Sequence, residues 1–121
     1  MIELLKNHTL IPVCPEQLGW LPTPRHPSEI VDSKSKKVVN KYWEDVSAQF
    51  ATGALETLRI AQLLNLDGAI LKDKSPSCGC GQIYDGSFWG KLVKWDGVTA
   101  ALLKAHGVKV VTENNIKNLV K

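Results

Sequence analysis

The stretch that decides the fold is G-A-I-L-K-D-K-S-P-S-C-G-C-G, residues 68–81. Its first four residues are apolar and bounded by turn residues, which is typical of a buried strand in a parallel sheet. A glycine-flanked loop that contains Cys78 and Cys80 follows directly at the carboxyl end of that strand. Ligands of parallel α/β sheets bind at the carboxyl ends of the strands, so this loop predicts a functional site.

The segments on either side of this strand predict helices that pack on a sheet. Apolar residues recur at helical spacing from residue 47 to about residue 65. A later helix ends at Gly107, a residue type that favours helix C-termini, and residues 108–111 then form a last strand. This alternation predicts one α/β domain over residues 1–121, with a small parallel or mostly parallel sheet and helices on both faces.

The amino-terminal third is rich in proline, with five of the six prolines among residues 12–27. Residues 10–13 predict a short buried strand that ends at Cys14. From Cys14 to Ile30 we expect a long loop without regular structure. Further short elements are predicted at residues 2–7 (the end of a helix), 38–39 (a strand), 85–86 (a hairpin turn) and 114–121 (a closing helix).

Composition excludes several classes of function. The chain has 121 residues, of which 44% are hydrophobic and 22% charged, as in ordinary globular proteins. Its net charge of +3 is spread out, so we expect no duplex nucleic acid as a partner. No apolar run approaches the roughly 18 residues of a bilayer span, and the N-terminus lacks the pattern of a signal peptide. We therefore expect a cytoplasmic protein with no membrane partner.

The prediction of a functional site rests on three cysteines. In a reducing compartment they favour metal binding, catalysis or inert burial over a disulfide framework. The glycines beside Cys78 and Cys80 let backbone N–H groups turn inward around a metal or an iron–sulfur cluster. Cys14 follows a predicted strand, so a soft-metal site is favoured over a glycine-rich turn with incidental thiols.

Two polar residues stand beside these thiols in the sequence. Glu16 is separated from Cys14 by Pro15, whose ring fixes the local direction of the chain. Ser75 opens the loop that contains Cys78. By themselves a loop glutamate is more often a solvated acid and a serine next to proline a turn residue, so the residue pattern leaves both roles open.

Four motifs follow one another along the chain. They are C-P-E-x-L-G-x-L-P-T-P-R at 14–25, L-K-x-K-S-P-S-C-G at 71–79, I-Y-D-G-x-F at 83–88 and D-G-V-T-A-A-L-L at 96–103. Together they resemble the thiouracil desulfidase family, which was formerly described only as a domain of unknown function. The resemblance extends from about residue 10 to residue 113.

The resemblance implies a small α/β protein that holds a [4Fe-4S] cluster on three cysteines. The open iron of such a cluster binds the sulfur of a thiolated pyrimidine, which is removed as sulfide. Cys14 and Cys78 match two of the ligands, and Cys80 is the candidate for the third. Glu16 would transfer protons and Ser75 would position the substrate. The expected partner is a small thiolated nucleobase such as thiouracil, and aerobic purification would yield protein without the cluster.

One family feature has no counterpart in this sequence. It is the first strand, with the motif S-A-C-L-L-G and the remaining cysteine ligand. We expect a homodimer or an N-terminal partner to cover the sheet edge that this strand would occupy. A non-catalytic binding or assembly module that keeps the scaffold without a working cluster is the alternative function. A zinc-stabilised domain, completed by His26 or Glu16, is a third interpretation.

Overall fold

The computed structural model of the protein describes residues 10–32 and 34–114. These residues form, in order, α1 (Pro15–Leu18), β1 (Ser28–Asp32), β2 (Lys37–Asn40), α2 (Ser47–Leu63), β3 (Gly68–Leu71), β4 (Ile83–Tyr84), β5 (Leu92–Val93), α3 (Val98–Ala105) and β6 (Lys109–Thr112). The helices predicted at residues 2–7 and 114–121 lie outside the described residues, apart from Asn114, which is in a turn. No helix in the described ranges combines the length and the apolar character of a membrane span.

The parallel sheet is formed by β3 and β6. The two strands pair in register from Gly68 opposite Lys109 to Leu71 opposite Thr112. The predicted α/β fold with a parallel sheet is therefore confirmed, and the predicted helix over residues 47–65 corresponds to α2. One hydrophobic cluster joins this sheet to α2 and α3, and its buried members are Leu58, Ala61, Leu71, Cys78, Ala100 and Leu103.

Two antiparallel ribbons extend the fold beyond the parallel sheet. β1 pairs with β2, which confirms the strand predicted at residues 38–39. β4 pairs with β5, and the predicted hairpin is thus present, although its connection runs through residues 85–91 rather than through two residues. A second core cluster lies between these ribbons and the helices, and its buried members are Ile30, Val38, Val46, Phe50, Ala54, Ile83 and Val98.

The predicted strand at residues 10–13 is wrong. These residues have no strand conformation, and Ile11 and Val13 are each 40% exposed. Pro12 has no N–H group to donate to a neighbouring strand, and the described chain places no strand beside this segment.

The predicted long loop from Cys14 to Ile30 is also wrong at both ends. α1 begins at Pro15, because proline is tolerated in the first turn of a helix, where its missing N–H group is not needed. β1 begins at Ser28, because β2 supplies the hydrogen-bonding partner for this segment from later in the chain.

α1 is held in place by direct backbone contact with α2. A Cβ atom on Gly53 of α2 would overlap the carbonyl oxygen of Pro15, and one on Gly19 would overlap the carbonyl oxygen of Gln49. Only glycine permits this approach on both helices. The contact fixes the position of α1, and with it the residues that flank Pro15.

Candidate functional site

The cysteine loop, residues 75–81, is attached to the start of α3. The first N–H groups of a helix have no partner within the helix itself. Here the N–H groups of residues 97–99 donate to the carbonyl oxygens of Gly79, Pro76 and Ser77, at 2.7, 2.9 and 2.8 Å. The loop thus caps the helix, and the helix fixes the backbone of the loop.

Gly97 allows this close attachment. A Cβ atom at Gly97 would lie 2.5 Å from the carbonyl oxygen of Ser77 and 2.8 Å from the backbone nitrogen of Cys78. Behind the contact, the buried hydroxyls of Ser77 and Thr99 are 2.7 Å apart. The motifs S-P-S-C-G and D-G-V-T are therefore two halves of one packed unit.

Ser75 organises the turn that presents Cys78. Its half-buried hydroxyl oxygen accepts hydrogen bonds from the backbone N–H groups of Ser77 and Cys78, at 3.1 and 3.2 Å. A serine hydroxyl has one hydrogen in addition to its acceptor lone pairs, so the hydroxyl of Ser75 keeps a donor for a ligand.

Cys78 is the buried thiol of the site, with 8% exposure. Burial raises the pKa of the Cys78 thiol to about 11, against the opposing effect of the Ser77 hydroxyl. The charges of Glu16 and Cys14 raise this pKa further. The charges of Cys14 and Glu16 in the first motif therefore reach the Cys78 thiol.

Arg25 connects Cys14 to Glu16. Its Nε donates to Oε1 of Glu16 at 3.1 Å, and its Nη2 donates to Sγ of Cys14 at 3.3 Å. The Arg25 and Glu16 side chains are 23% and 22% exposed. Partial burial lowers the pKa of the Arg25 guanidinium, but Glu16 and Cys14 outweigh that effect and raise it overall.

Cys80 has different neighbours. Its Sγ lies 4.0 Å from the carbonyl oxygen of Val110 in β6, and Lys104 of α3 contacts it. Lys104 also binds the carboxylate of Asp96 at 3.1 Å, and that carboxylate accepts the N–H of Gly81 at 2.7 Å. These contacts turn Cys80 toward α3 and β6, whereas Cys78 interacts with the charges of the first motif.

The fit of these residues to a metal cluster is therefore partial. Cys14 and Cys78 fit by chemical type, because thiolates hold iron–sulfur clusters, and the two residues come from separate motifs. Within residues 10–32 and 34–114, no three His, Cys, Asp or Glu side chains are grouped closely enough to hold a metal ion. Ligation by Cys80 stays a prediction, and it would require Cys80 to leave Lys104 and Val110.

Arg25 is the site residue that the sequence interpretation missed. It is the last residue of the motif L-P-T-P-R, and the sequence pattern predicts no role for it. A guanidinium recognises a carboxylate well, and the carboxylate and the thiol lie 9 and 11 residues earlier in the same motif. His26, a candidate zinc ligand, instead packs its ring edge-on against Tyr42, with the ring centroids 4.7 Å apart.

The chain is similar to known proteins in sequence and in structure. The model of the 2-thiouracil desulfurase family matches residues 1–115. The uncharacterised protein YbbK of Bacillus subtilis (strain 168) is 40% identical over 125 residues, with 98% of this chain and 83% of that protein covered. The solved structure of the [4Fe-4S]-dependent thiouracil desulfidase TudS matches with a TM-score of 0.91 and 38% identity, over 98% of this chain and 76% of that chain. This chain belongs to the 2-thiouracil desulfurase family.

Proposed function

We propose that this chain is an enzyme that removes sulfur from a thiolated pyrimidine such as thiouracil, with a [4Fe-4S] cluster as its cofactor. The observation that carries the proposal is the binding of Cys14 and Glu16 by the same Arg25 side chain, since the charges of both also reach Cys78 from a distant part of the sequence. The related TudS, named as a [4Fe-4S]-dependent thiouracil desulfidase, supports the choice of cofactor and substrate class.

Cys14 and Cys78 are the proposed ligands of the cluster. When bound, the cluster would supply a Lewis-acidic iron as the binding site for the substrate sulfur. Cys80 is the proposed third ligand from the sequence, on the condition that it exchanges its contacts with Lys104 and Val110 for the metal.

Glu16 is the proposed proton-transfer group. Replacement of sulfur by oxygen forms a C–O bond from water and breaks the C–S bond, with the sulfur leaving as hydrosulfide. One water proton must leave as the C–O bond forms, and a carboxylate at the site can accept it. In the described part of the chain, Arg25 binds Oε1 of Glu16 and no contact is found for Oε2, so we assign Oε2 to the water.

Ser75 is the proposed positioning group for the substrate. Its oxygen is fixed by the N–H groups of Ser77 and Cys78, so its hydrogen points away from both. A pyrimidine ring offers carbonyl and ring-nitrogen acceptors for such a donor. Ser75 therefore orients the ring beside Cys78 without taking part in bond making.

A non-catalytic module is the second candidate function. It is favoured by one observation, the lack of a group of three metal-binding side chains among the described residues. The same scaffold would then serve binding or assembly. Cytoplasmic location is part of both proposals.

Anaerobic reconstitution tests the two candidates. The purified chain is incubated with iron and sulfide, desalted, and assayed for bound iron and for broad absorption in the blue region. It is then incubated with 2-thiouracil, and sulfide and uracil are quantified. An enzyme gives bound iron and equal amounts of the two products, with Cys14→Ser as the inactive control. Reconstituted protein without iron would exclude the desulfidase proposal and favour the module, and zinc bound in its place would indicate the zinc-stabilised domain.

A further inference from the structure

Arg25 is a half-buried charged side chain to which the proposed reaction assigns no role. Its guanidinium donates to four acceptors from three nitrogens. Nε binds Oε1 of Glu16 and Nη2 binds Sγ of Cys14, while Nη1 binds the Pro22 carbonyl at 3.2 Å and the Thr23 hydroxyl at 3.1 Å. One planar group thus joins the proposed proton-transfer group, a proposed cluster ligand and the following loop.

We propose that Arg25 is a positioning residue that fixes the Glu16 carboxylate relative to the Cys14 sulfur. This inference rests on the proposed function of the site. Arg25 acts through these two side chains and contacts neither the substrate nor the reacting atoms.

The geometry of the guanidinium supports this role. Its nitrogens form a rigid fork, so two acceptors bound by Nε and Nη2 are held at a fixed separation. Because Nε occupies Oε1, the other carboxylate oxygen of Glu16 is directed to one side of the ion pair. Lysine, a point charge on a flexible stem, cannot hold both acceptors in this way.

The two ends of the guanidinium have separable roles. Nη1 stabilises the loop through Pro22 and Thr23, and Gln17 supports the same hydroxyl of Thr23 at 2.6 Å. Among the described residues, Nε and Nη2 bind only Glu16 and Cys14. Loss of the loop contacts is expected to lower stability, whereas loss of the site contacts lowers turnover.

The experiment compares wild type, Arg25→Ala, Arg25→Lys and the control Arg59→Ala after anaerobic reconstitution. Arg59 lies on α2, is 67% exposed and pairs with Glu56, away from the site. The readouts are kcat and KM for 2-thiouracil, the rate of iron loss to a chelator, and the recovery of kcat in millimolar guanidinium. A displacement of about 1 Å can cost roughly 100-fold in rate, so we expect kcat of Arg25→Ala to fall by about 10- to 100-fold with little change in KM.

Two further results are specific to positioning. Added guanidinium restores part of the kcat of Arg25→Ala, but it has no effect when Glu16→Gln is also present, because the carboxylate partner is then missing. Chelators remove iron faster from Arg25→Ala than from Arg59→Ala, because the Cys14 sulfur has lost the hydrogen bond from Arg25. Arg25→Lys keeps the charge and the fold, and its kcat lies between those of wild type and Arg25→Ala.

The outcomes separate this inference from the proposed function. Wild-type protein that binds iron and releases sulfide, together with Arg25 variants that match it in kcat and iron loss, overturns the role of Arg25 alone. A different result also overturns the positioning role. In that result guanidinium does not restore the kcat of Arg25→Ala, Arg25→Lys loses as much kcat as Arg25→Ala, and the rate of iron loss is unchanged. Wild-type protein without iron or sulfide release overturns the proposed function, and the inference with it.

Discussion

Gly53 in α2 lies in backbone contact with Pro15 in α1, so closely that a Cβ atom at Gly53 would overlap the Pro15 carbonyl oxygen. Helix propensity alone would make Gly53→Ala more stable by about 1 kcal/mol. We expect the opposite sign, a loss of about 1–3 kcal/mol in the free energy of unfolding, because the added methyl separates the helices. Urea unfolding measures this change in the free energy of unfolding. The control is Ala51→Gly at an exposed position of the same helix, which should lose about 1 kcal/mol; a Gly53→Ala protein more stable than wild type would contradict the contact.

Iron content should distinguish the three cysteines. We expect Cys14→Ser and Cys78→Ser to lose most of the iron bound after reconstitution. Cys80→Ser should lose iron as well, but less of it, because ligation by Cys80 costs its contacts with Lys104 and Val110. Iron per chain is measured after desalting, with thermal unfolding as the control for folding. Iron in Cys80→Ser equal to that in wild type would show that Cys80 is not a ligand.

The carboxylate and hydroxyl of the site should affect turnover without affecting iron. Glu16→Gln removes the proposed proton acceptor but keeps the shape of the side chain, and we expect kcat to fall by about 100- to 10,000-fold. Ser75→Ala removes the proposed hydrogen-bond donor to the substrate, so we expect a higher KM in addition to a lower kcat. Sulfide release and iron content are measured on the same samples. Full activity in Glu16→Gln would assign proton transfer to another group.

Glu29 holds the loop that follows β4. Its buried carboxylate accepts the N–H groups of Gly86 and Phe88, at 2.9 and 3.2 Å. Glu29→Ala leaves both donors unpaired, and we expect a loss of about 2–3 kcal/mol in the free energy of unfolding. Glu29→Gln keeps an acceptor oxygen and should recover part of the loss. The exposed Glu56→Ala is the matched control, with an expected change below about 0.5 kcal/mol.

Stability at alkaline pH should reflect the burial of Cys78. Its pKa rises from 9.0 to about 11 in the folded protein, so the folded chain retains this proton where the unfolded chain releases it. Stability from this group is complete below pH 9 and is lost as the pH rises toward 11, a change of about 3 kcal/mol. Urea unfolding of iron-free wild type and Cys78→Ser from pH 8 to about pH 11 isolates this contribution. Parallel curves for the two proteins would contradict it.

Elements whose signals are local could be predicted from the sequence. The apolar stripe of α2, the short apolar strand β3 and the helix end at Gly107, which has a φ of 81°, depend on nearby residues and were placed within a few positions. Residues 10–13 were misassigned because an apolar run does not reveal whether a partner strand lies beside it. β1 was missed for the converse reason, since β2 provides its partner.

The candidate site also has some features that the sequence predicts and others that depend on the folded chain. The sequence associated Cys14 and Glu16 with Cys78 through the family motifs, whereas its other argument, a strand that ends at Cys14, was wrong. The contacts of Arg25 depend on how the proline-rich segment folds back on α1, which spacing does not show. The direction of Cys80 depends on the turn at Gly81, whose φ of 85° is the left-handed conformation that glycine favours.

The attachment of the cysteine loop to the start of α3 bears on how relatives of this protein are recognised. Because carbonyl groups of S-P-S-C-G satisfy the first N–H groups of D-G-V-T, neither motif keeps its geometry without the other. A distant sequence that contains S-P-S-C-G without D-G-V-T lacks the helix that shapes the cysteine loop. The two motifs together are therefore the signature to search for, and their separation is free to vary with the length of the intervening hairpin.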